Sequence, residues 1–444
     1  MSAVIAALRR HGGLGATALS FLFFAVRLYA LIDRHAVNVI FWDEWDYLQP
    51  LRQGASPWTL FSWQHGPHRM GLGYLFIAAV YRLSGWDDRV EAFATGAVFV
   101  LAVPLALVLK ARVVGRVTWL DCCVPALLLT TAQYELFVGA VNAAHGPIPL
   151  LLVLLSPFCW LVQQRALRAL LGGTLALCAA FTGFALFIIA PLAVLFFVDA
   201  IRPVGPGSQA RIWDAVGGLA SVAALALFFR GYQFVSAVDC FRFPEPRPGV
   251  YIPFAGLEIV RPMHLVHLFP HVSVLGVAAF AFAIALTAVG VVWLLRGPRT
   301  PLARTVFLFS SFTLLFVATS AVGRVCLGLI AALAPRYVPY VAPLWLAGYF
   351  VLVRAAQTSR AVQWIAGLLV AAFVVLQAFV PDDDAGMRWY SEGKIRWRAC
   401  FRTTGDELRC NAETGFRVYS LENAAHVAQT MQFLRENRLS LFKP

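Results

Sequence analysis

The sequence predicts an all-α polytopic membrane protein, with about eleven transmembrane helices, a long first outer loop carrying interfacial helices, and a small disulfide-closed C-terminal outer cap. Three observations predict it. The chain is 60% hydrophobic with only 13% charged residues, outside the range of soluble domains. Apolar stretches recur at about 20 residues, the length that crosses the hydrocarbon layer. The formal charge of +13 collects in alternate connecting loops, as in membrane proteins, which removes the need for a nucleic-acid partner.

Taken in order, the spans fall at 14–32, 90–110, 118–134, 147–163, 167–182, 184–201, 213–230, 271–295, 304–322, 338–354 and 361–380. Arg9 and Arg10 precede the first. Arg27 interrupts its apolar run and no small-x-small cleavage site follows closely, so it reads as a retained helix rather than a signal peptide. With the N-terminus cytoplasmic, the inner loops carry Lys110, Arg112 and Arg116, then Arg165 and Arg168, Arg202 and Arg211, Arg296, Arg299 and Arg304, and Arg354 and Arg360. The reverse orientation would translocate all of them, so the C-terminal tail is expected outside.

That topology sorts the remaining features onto one face. The loop 33–89 opens with Phe41-Trp42-Asp43-Glu44-Trp45-Asp46-Tyr47 and continues through His65-Gly66-Pro67-His68-Arg69. Carboxylates next to a bilayer are costly and mark a site by default. Met70 to Leu83 is short and interrupted and reads as an interfacial helix, with Trp58, Trp63, Tyr74, Tyr81 and Trp86 at headgroup level. Gln133-Tyr134-Glu135 and Asn142…His145 share that face, although Glu135 alone could be a solvated cap. Arg324 and Arg336-Tyr337 lie on the outer side, where basic residues are disfavoured; an anion partner explains them, and snorkelling to headgroups is the plainer alternative.

The chain divides into a transmembrane domain, 1–380, and a polar cap, 381–444. Cys400 and Cys410 flank a Gly405-Asp406 turn and predict a β-hairpin closed by a disulfide in an oxidising compartment. Cys122, Cys123, Cys159, Cys178, Cys240 and Cys326 read as packing residues. Residues 421–438 predict an amphipathic helix that docks on the rest.

Acids, histidines, arginines and aromatics on one face provide a base for a hydroxyl, donors for a phosphate, and flat surfaces for sugar rings. Phosphate-loop and serine-triad signatures are absent from the sequence. With its acidic motif Phe41-Trp42-Asp43-Glu44-Trp45 in the first outer loop, the chain resembles the GT-C superfamily of integral-membrane glycosyltransferases. The resemblance extends to a bacterial O-antigen-modifying-like subset through His65-Gly-Pro-His68-Arg69, Gln133-Tyr-Glu135 and the pair Arg324…Arg336-Tyr337, in that order along nearly the whole chain. His-Gly-Pro-His stands where that subset has a more acidic stretch, which leaves any metal requirement open.

The resemblance implies inverting transfer from a polyprenyl-phosphate-linked sugar to a glycan or glycolipid at the periplasmic face of a bacterial inner membrane. Asp43 would be the general base, with Glu44 beside it in the catalytic pair. Arg324, Arg336 and Arg69 would hold the donor phosphate, and Asp46, Trp42, Trp45, His65, His68, Glu135 and Tyr337 would contact substrate. No obligatory metal or other cofactor is implied, and membrane lipids are the remaining partner. A lipid-linked-sugar flippase or other polytopic transporter is the competing class, and an outer-face polymerase or ligase a further one.

Overall fold

The computed structural model describes residues 2–202, 208–236, 238–264, 271–382, 384–420 and 425–443. Among the described residues, eight helical stretches are long and apolar enough to cross a membrane: Gly12–His35, Asp88–Val113, Gly183–Ile201, Arg211–Phe229, Val272–Arg296, Pro301–Leu327, Pro335–Ala356 and Arg360–Phe379. Their outward faces are apolar, as with Leu19, Leu22 and Val26 on the first and Trp364, Leu368 and Leu369 on the last. At about 1.5 Å per residue such helices reach roughly 30 Å, and greasy faces of that length fit lipid rather than water.

In chain order the helices are α1 (Ser2–His35), α2 (Glu44–Arg52), α3 (Pro57–Ser62), α4 (Gly71–Ser84), α5 (Asp88–Val113), α6 (Cys123–Leu128), α7 (Glu135–Val138), α8 (Pro147–Leu155), α9 (Arg165–Ala180), α10 (Ile189–Ile201) and α11 (Ser208–Phe229). There follow α12 (Tyr251–Val260), α13 (Val272–Arg296), α14 (Pro301–Arg324), α15 (Val338–Ala356) and α16 (Arg360–Phe379), and then α17 (Ala385–Thr404), α18 (Glu407–Thr414) and α19 (Ala425–Glu436) in the tail.

Three expected spans, 118–134, 147–163 and 167–182, are not among those eight apolar stretches. The segment 118–134 is broken into a 3-10 turn at Trp119–Cys122, α6, and a second turn at Thr131–Gln133. It nevertheless runs the length of the bundle. Thr17 and Ser20 of α1 donate to the carbonyls of Thr118 and Cys122 at 3.0 Å at one end, and Glu135 pairs with Arg336 at the other. Side chains satisfy the backbone freed at the break, as apolar surroundings require: Gln133 Nε2 donates to Leu128 O at 2.8 Å, and Thr130 Oγ1 caps the next turn while donating to Gln377 of α16 at 2.6 Å. Prolines divide 147–161, and Trp160 at its far end donates to Asp199 at 2.9 Å. The helix α9 joins Arg165, paired with Asp214, to Phe181 beside Gly71.

The basic loops foreseen from sequence meet acids. Asp199 lies 3.2 Å from Arg299 and 3.0 Å from Arg304, and Lys110 reaches Asp121 at 2.8 Å. At the opposite end, Arg27 donates to Asp382 at 2.9 Å and to carbonyls that close α16.

That opposite end carries the rest. Strands β1 (Gln64–His65) and β2 (His68–Arg69) form the one sheet among the described residues, with His65 opposite His68. Gly66, at φ 54°, makes the two-residue turn that a side chain would strain. The helix α4 is too short to cross, but Tyr74, Tyr81 and Trp86 are buried in the protein, not held at headgroup level; Trp58 stays exposed.

The expected β-hairpin at Cys400–Cys410 is instead two helices, α17 and α18. Gly405 (φ 67°) stops the first and the Asp406 side chain accepts from Arg409 N to cap the second, so the turn residues act as helix boundaries. The disulfide is present. Replacing both cysteines with serine is expected to lower stability by roughly 2–3 kcal/mol, read as an earlier thermal transition of the purified protein; an unchanged transition counts against the staple. A second disulfide, Cys240–Cys326, corrects the reading of those two as packing residues. Of the tail helix expected at 421–438, residues 421–424 lie outside the described ones. The remainder, α19, packs on α2 through contacts such as Arg52 to Gln429 at 3.0 Å.

Candidate active site

Residues 41–44 are shaped by one backbone feature. Trp42 sits at φ 57°, in the left-handed region where a bulky residue is strained. Its N–H donates to Val418 O of the tail at 2.7 Å, and Phe41 stacks on Phe416 with centroids 5.2 Å apart. From beneath, Glu44 accepts from Phe41 N at 2.7 Å and from Val141 N. The chain is thereby twisted so that Trp42 and Asp43 face a cavity while Glu44 is fully buried on the far side.

The cavity has a volume of about 580 Å³. Asp43, His65, His68, Glu135, Arg324, Arg336, Tyr337 and Trp42 all line it, so eight residues singled out from sequence converge. Burial pushes the Asp43 carboxyl above its usual range, with His65, Arg336 and Arg324 pulling the other way. Its side chain makes no hydrogen bond or ion pair among the described residues, leaving its oxygens free for a ligand.

Asp46 is engaged differently. It meets His65 Nε2 at 3.3 Å, His426 Nε2 at 3.1 Å, and the Tyr419 hydroxyl, which donates at 2.6 Å. Burial favours its neutral form, but the hydrogen bonds from His65 and Tyr419 outweigh that and hold it below the usual carboxylate range. His65 is in turn raised, burial being overcome by Asp46 and Asp43. Asp46 is a positioning group for His65 and does not itself line the cavity.

The two arginines differ as well. Arg336 pairs with Glu135, to which Tyr390 also reaches at 3.5 Å. Arg324 lies over the Tyr337 ring at 5.8 Å and has no carboxylate partner among the described residues.

Four residues assigned to the site from sequence, Arg69, Glu44, Trp45 and Asp46, lie outside the cavity lining. Arg69 lies away from the cavity and spends its donors on the carbonyls of Ser62 (2.6 Å), Phe228 (3.0 Å) and Arg230 (2.7 Å), tying β2 to the end of α11. Each of its three guanidinium nitrogens donates to a backbone carbonyl. Glu44 is spent on backbone N–H groups, and Trp45 is fully buried in the core; neither touches the cavity. Conversely, Asn142, His145, Trp389 and Tyr390 line it without having been assigned a role. The adjacent aromatic pair at the start of the polar tail was the one signal for the last two.

No family model matches the chain, and no curated protein or solved structure matches it either.

Proposed function

We propose that this chain is a GT-C-type membrane glycosyltransferase that moves a sugar from a polyprenyl-phosphate donor to a glycan or glycolipid hydroxyl. The reading carries with it eleven crossings, a cytoplasmic N-terminus, and a cavity and cap on the periplasmic side of a bacterial inner membrane. The ends of the segments 118–134 and 147–161 and of the helix α9 support the count, because each joins the arginine-rich end to the cavity end. One observation carries the chemistry: Asp43, unpaired among the described residues and raised by burial, shares a cavity with Arg324, which has no carboxylate partner among them.

In this mechanism Asp43 takes the proton of the acceptor hydroxyl as its oxygen attacks the anomeric carbon. The bond from that carbon to the phosphate oxygen breaks, and the lipid phosphate leaves with the electron pair. Arg324 meets the charge developing there, with Arg336 beside it. One base and no covalent intermediate give inversion. Exposed Leu327 and Ile330, just after Arg324, offer apolar surface for a lipid tail. The rival reading, a flippase, draws on Glu91 and Glu258, acids buried within the bundle.

The deciding experiment gives purified protein in detergent polyprenyl-phosphate sugars with candidate acceptors and follows donor consumption. Consumption supports transfer; a donor that binds but is never consumed supports transport. Within that assay, Arg324→Gln is expected to lower kcat/KM for the donor by roughly 10²-fold, the scale of losing one donor to a developing oxyanion. Arg69→Gln should lower stability instead, and the reverse pattern would exchange the two roles.

A further inference from the structure

Two of the three histidines in the cavity wall are unusual in what they lack. His68 is 2% exposed, yet among the described residues neither of its ring nitrogens has a hydrogen-bond partner, and His145 Nε2 is likewise buried and unpaired. Buried polar atoms without partners are rare, because each forfeits its hydration without return. The rings of His68 and His145 are only 4.0 Å apart, edge to face. His65 completes the group, with one nitrogen from each of the three lying within 4.8 Å of the others.

Local structure explains the clustering. The two-residue turn at Gly66-Pro67 makes His65 and His68 cross-strand partners, so both project from one face of the ribbon. His145 ends a 3-10 turn whose first N–H groups are capped by Asn142, which accepts from Ala144 N at 2.9 Å. Asp46 braces the His65 ring at 3.3 Å, as outer-sphere carboxylates brace imidazoles that ligate metals.

We propose that His65, His68 and His145 form a site for a divalent transition-metal ion, zinc by preference, with a fourth position open to the cavity. Imidazole suits zinc, cobalt, nickel and copper, whereas magnesium and calcium demand oxygen. Three protein ligands with one open position is the arrangement of zinc sites that act on a bound molecule. Tetrahedral zinc at about 2.0–2.1 Å from each nitrogen sets the nitrogens roughly 3.4 Å apart, so modest ring rotations close the group. Asp43 and Glu135 line the same cavity as Arg324 and Arg336, so an ion held there meets charges of both signs. A second trio, Asp43, Asp46 and His65, shares one member and would attract an oxygen-seeking ion instead. Its Asp46 is already bonded by Tyr419 and His65, which favours the histidine site.

The site does not depend on the transfer reading, and its test needs no sugar donor. Full-length protein in detergent is stripped with chelator, given zinc or cobalt(II), desalted and assayed for bound metal. One equivalent should remain, and the cobalt form should show the intense visible bands of a four-coordinate ion. His68→Ala and His145→Ala should each lose the metal, while Asp43→Asn keeps it. Zinc should raise the thermal transition of the native protein, but not that of His145→Ala. Wild-type protein that retains no metal, six-coordinate cobalt bands, or full retention by His68→Ala would each overturn the proposal. Should the variants fail to fold, the wild-type stoichiometry and cobalt spectrum still decide it. Manganese bound in preference, and lost with Asp43→Asn, would place the ion on the acidic trio and also overturn it.

Discussion

Asp43→Asn is expected to slow sugar transfer by about 10²–10⁴-fold, the range of a lost general base, and to leave the fold intact. The second half of that expectation comes from the geometry. The Asp43 side chain has no hydrogen bond to lose, and the turn around it is held by backbone contacts: Asp46 N reaches Asp43 O at 3.1 Å and Trp42 N reaches Val418 O at 2.7 Å. Asparagine preserves the shape and removes only the ability to accept a proton. Donor consumption and the thermal transition, measured on the same preparation, check both parts. A variant that still turns over donor at the wild-type rate removes Asp43 from its role. Glu44→Gln offers the contrast: that carboxylate anchors two backbone N–H groups, so its loss should appear as instability before it appears as kinetics.

Lys394→Met is expected to have the largest effect on stability. Lys394, on α17, is 1% exposed and contacts Asp88 at 3.1 Å and the Gly139 carbonyl at 2.8 Å, with the Phe41 ring 5.4 Å away. It is the cation that serves a buried group of three acids, Glu44, Asp88 and Glu91. Burial, then the neighbouring Asp88, push Glu44 well above the usual carboxylate range. Removing one partner from a buried ion pair costs about 3–5 kcal/mol, because the other charge is left without compensation. The loss should fall on the joint between tail, loop 41–44 and residues 139–141. Proteolysis should therefore cut the tail readily in the variant while the bundle survives. Equal protease resistance and an unchanged thermal transition would show that the cluster does not hold the joint.

Much of this was legible in residue patterns that act locally. Span length, loop charge and the placement of the Asp43, His65–His68 and Arg324–Arg336 motifs at one end follow from hydropathy and from where arginines fall. What was not legible depends on tertiary contacts. Asp43 and Glu44 are neighbours of the same chemical type, and the left-handed turn at Trp42 sends one into the cavity and the other into the core. Arg69 and Arg324 look equivalent in a string of letters; carbonyls from α11, far along the chain, occupy the first. Cys240 and Cys326 are 86 residues apart, so no local spacing announces their bond. Gly405-Asp406 is a fair hairpin signal and an equally fair helix stop and start. The preceding helix former run, 385–404, settles it for helices, and the alternation a strand needs is missing there.

The bond between Trp42 and Val418, and that between Asp46 and Tyr419, join the first and last portions of the chain. A ribosome delivers Trp42 and Asp46 hundreds of residues before the groups that fix them. Throughout that interval the acidic loop has neither its twist nor the hydroxyl that steadies Asp46. The cavity wall is thus incomplete until residues 418 and 419 have been made, and a chain cut short of them lacks two of the bonds that shape it.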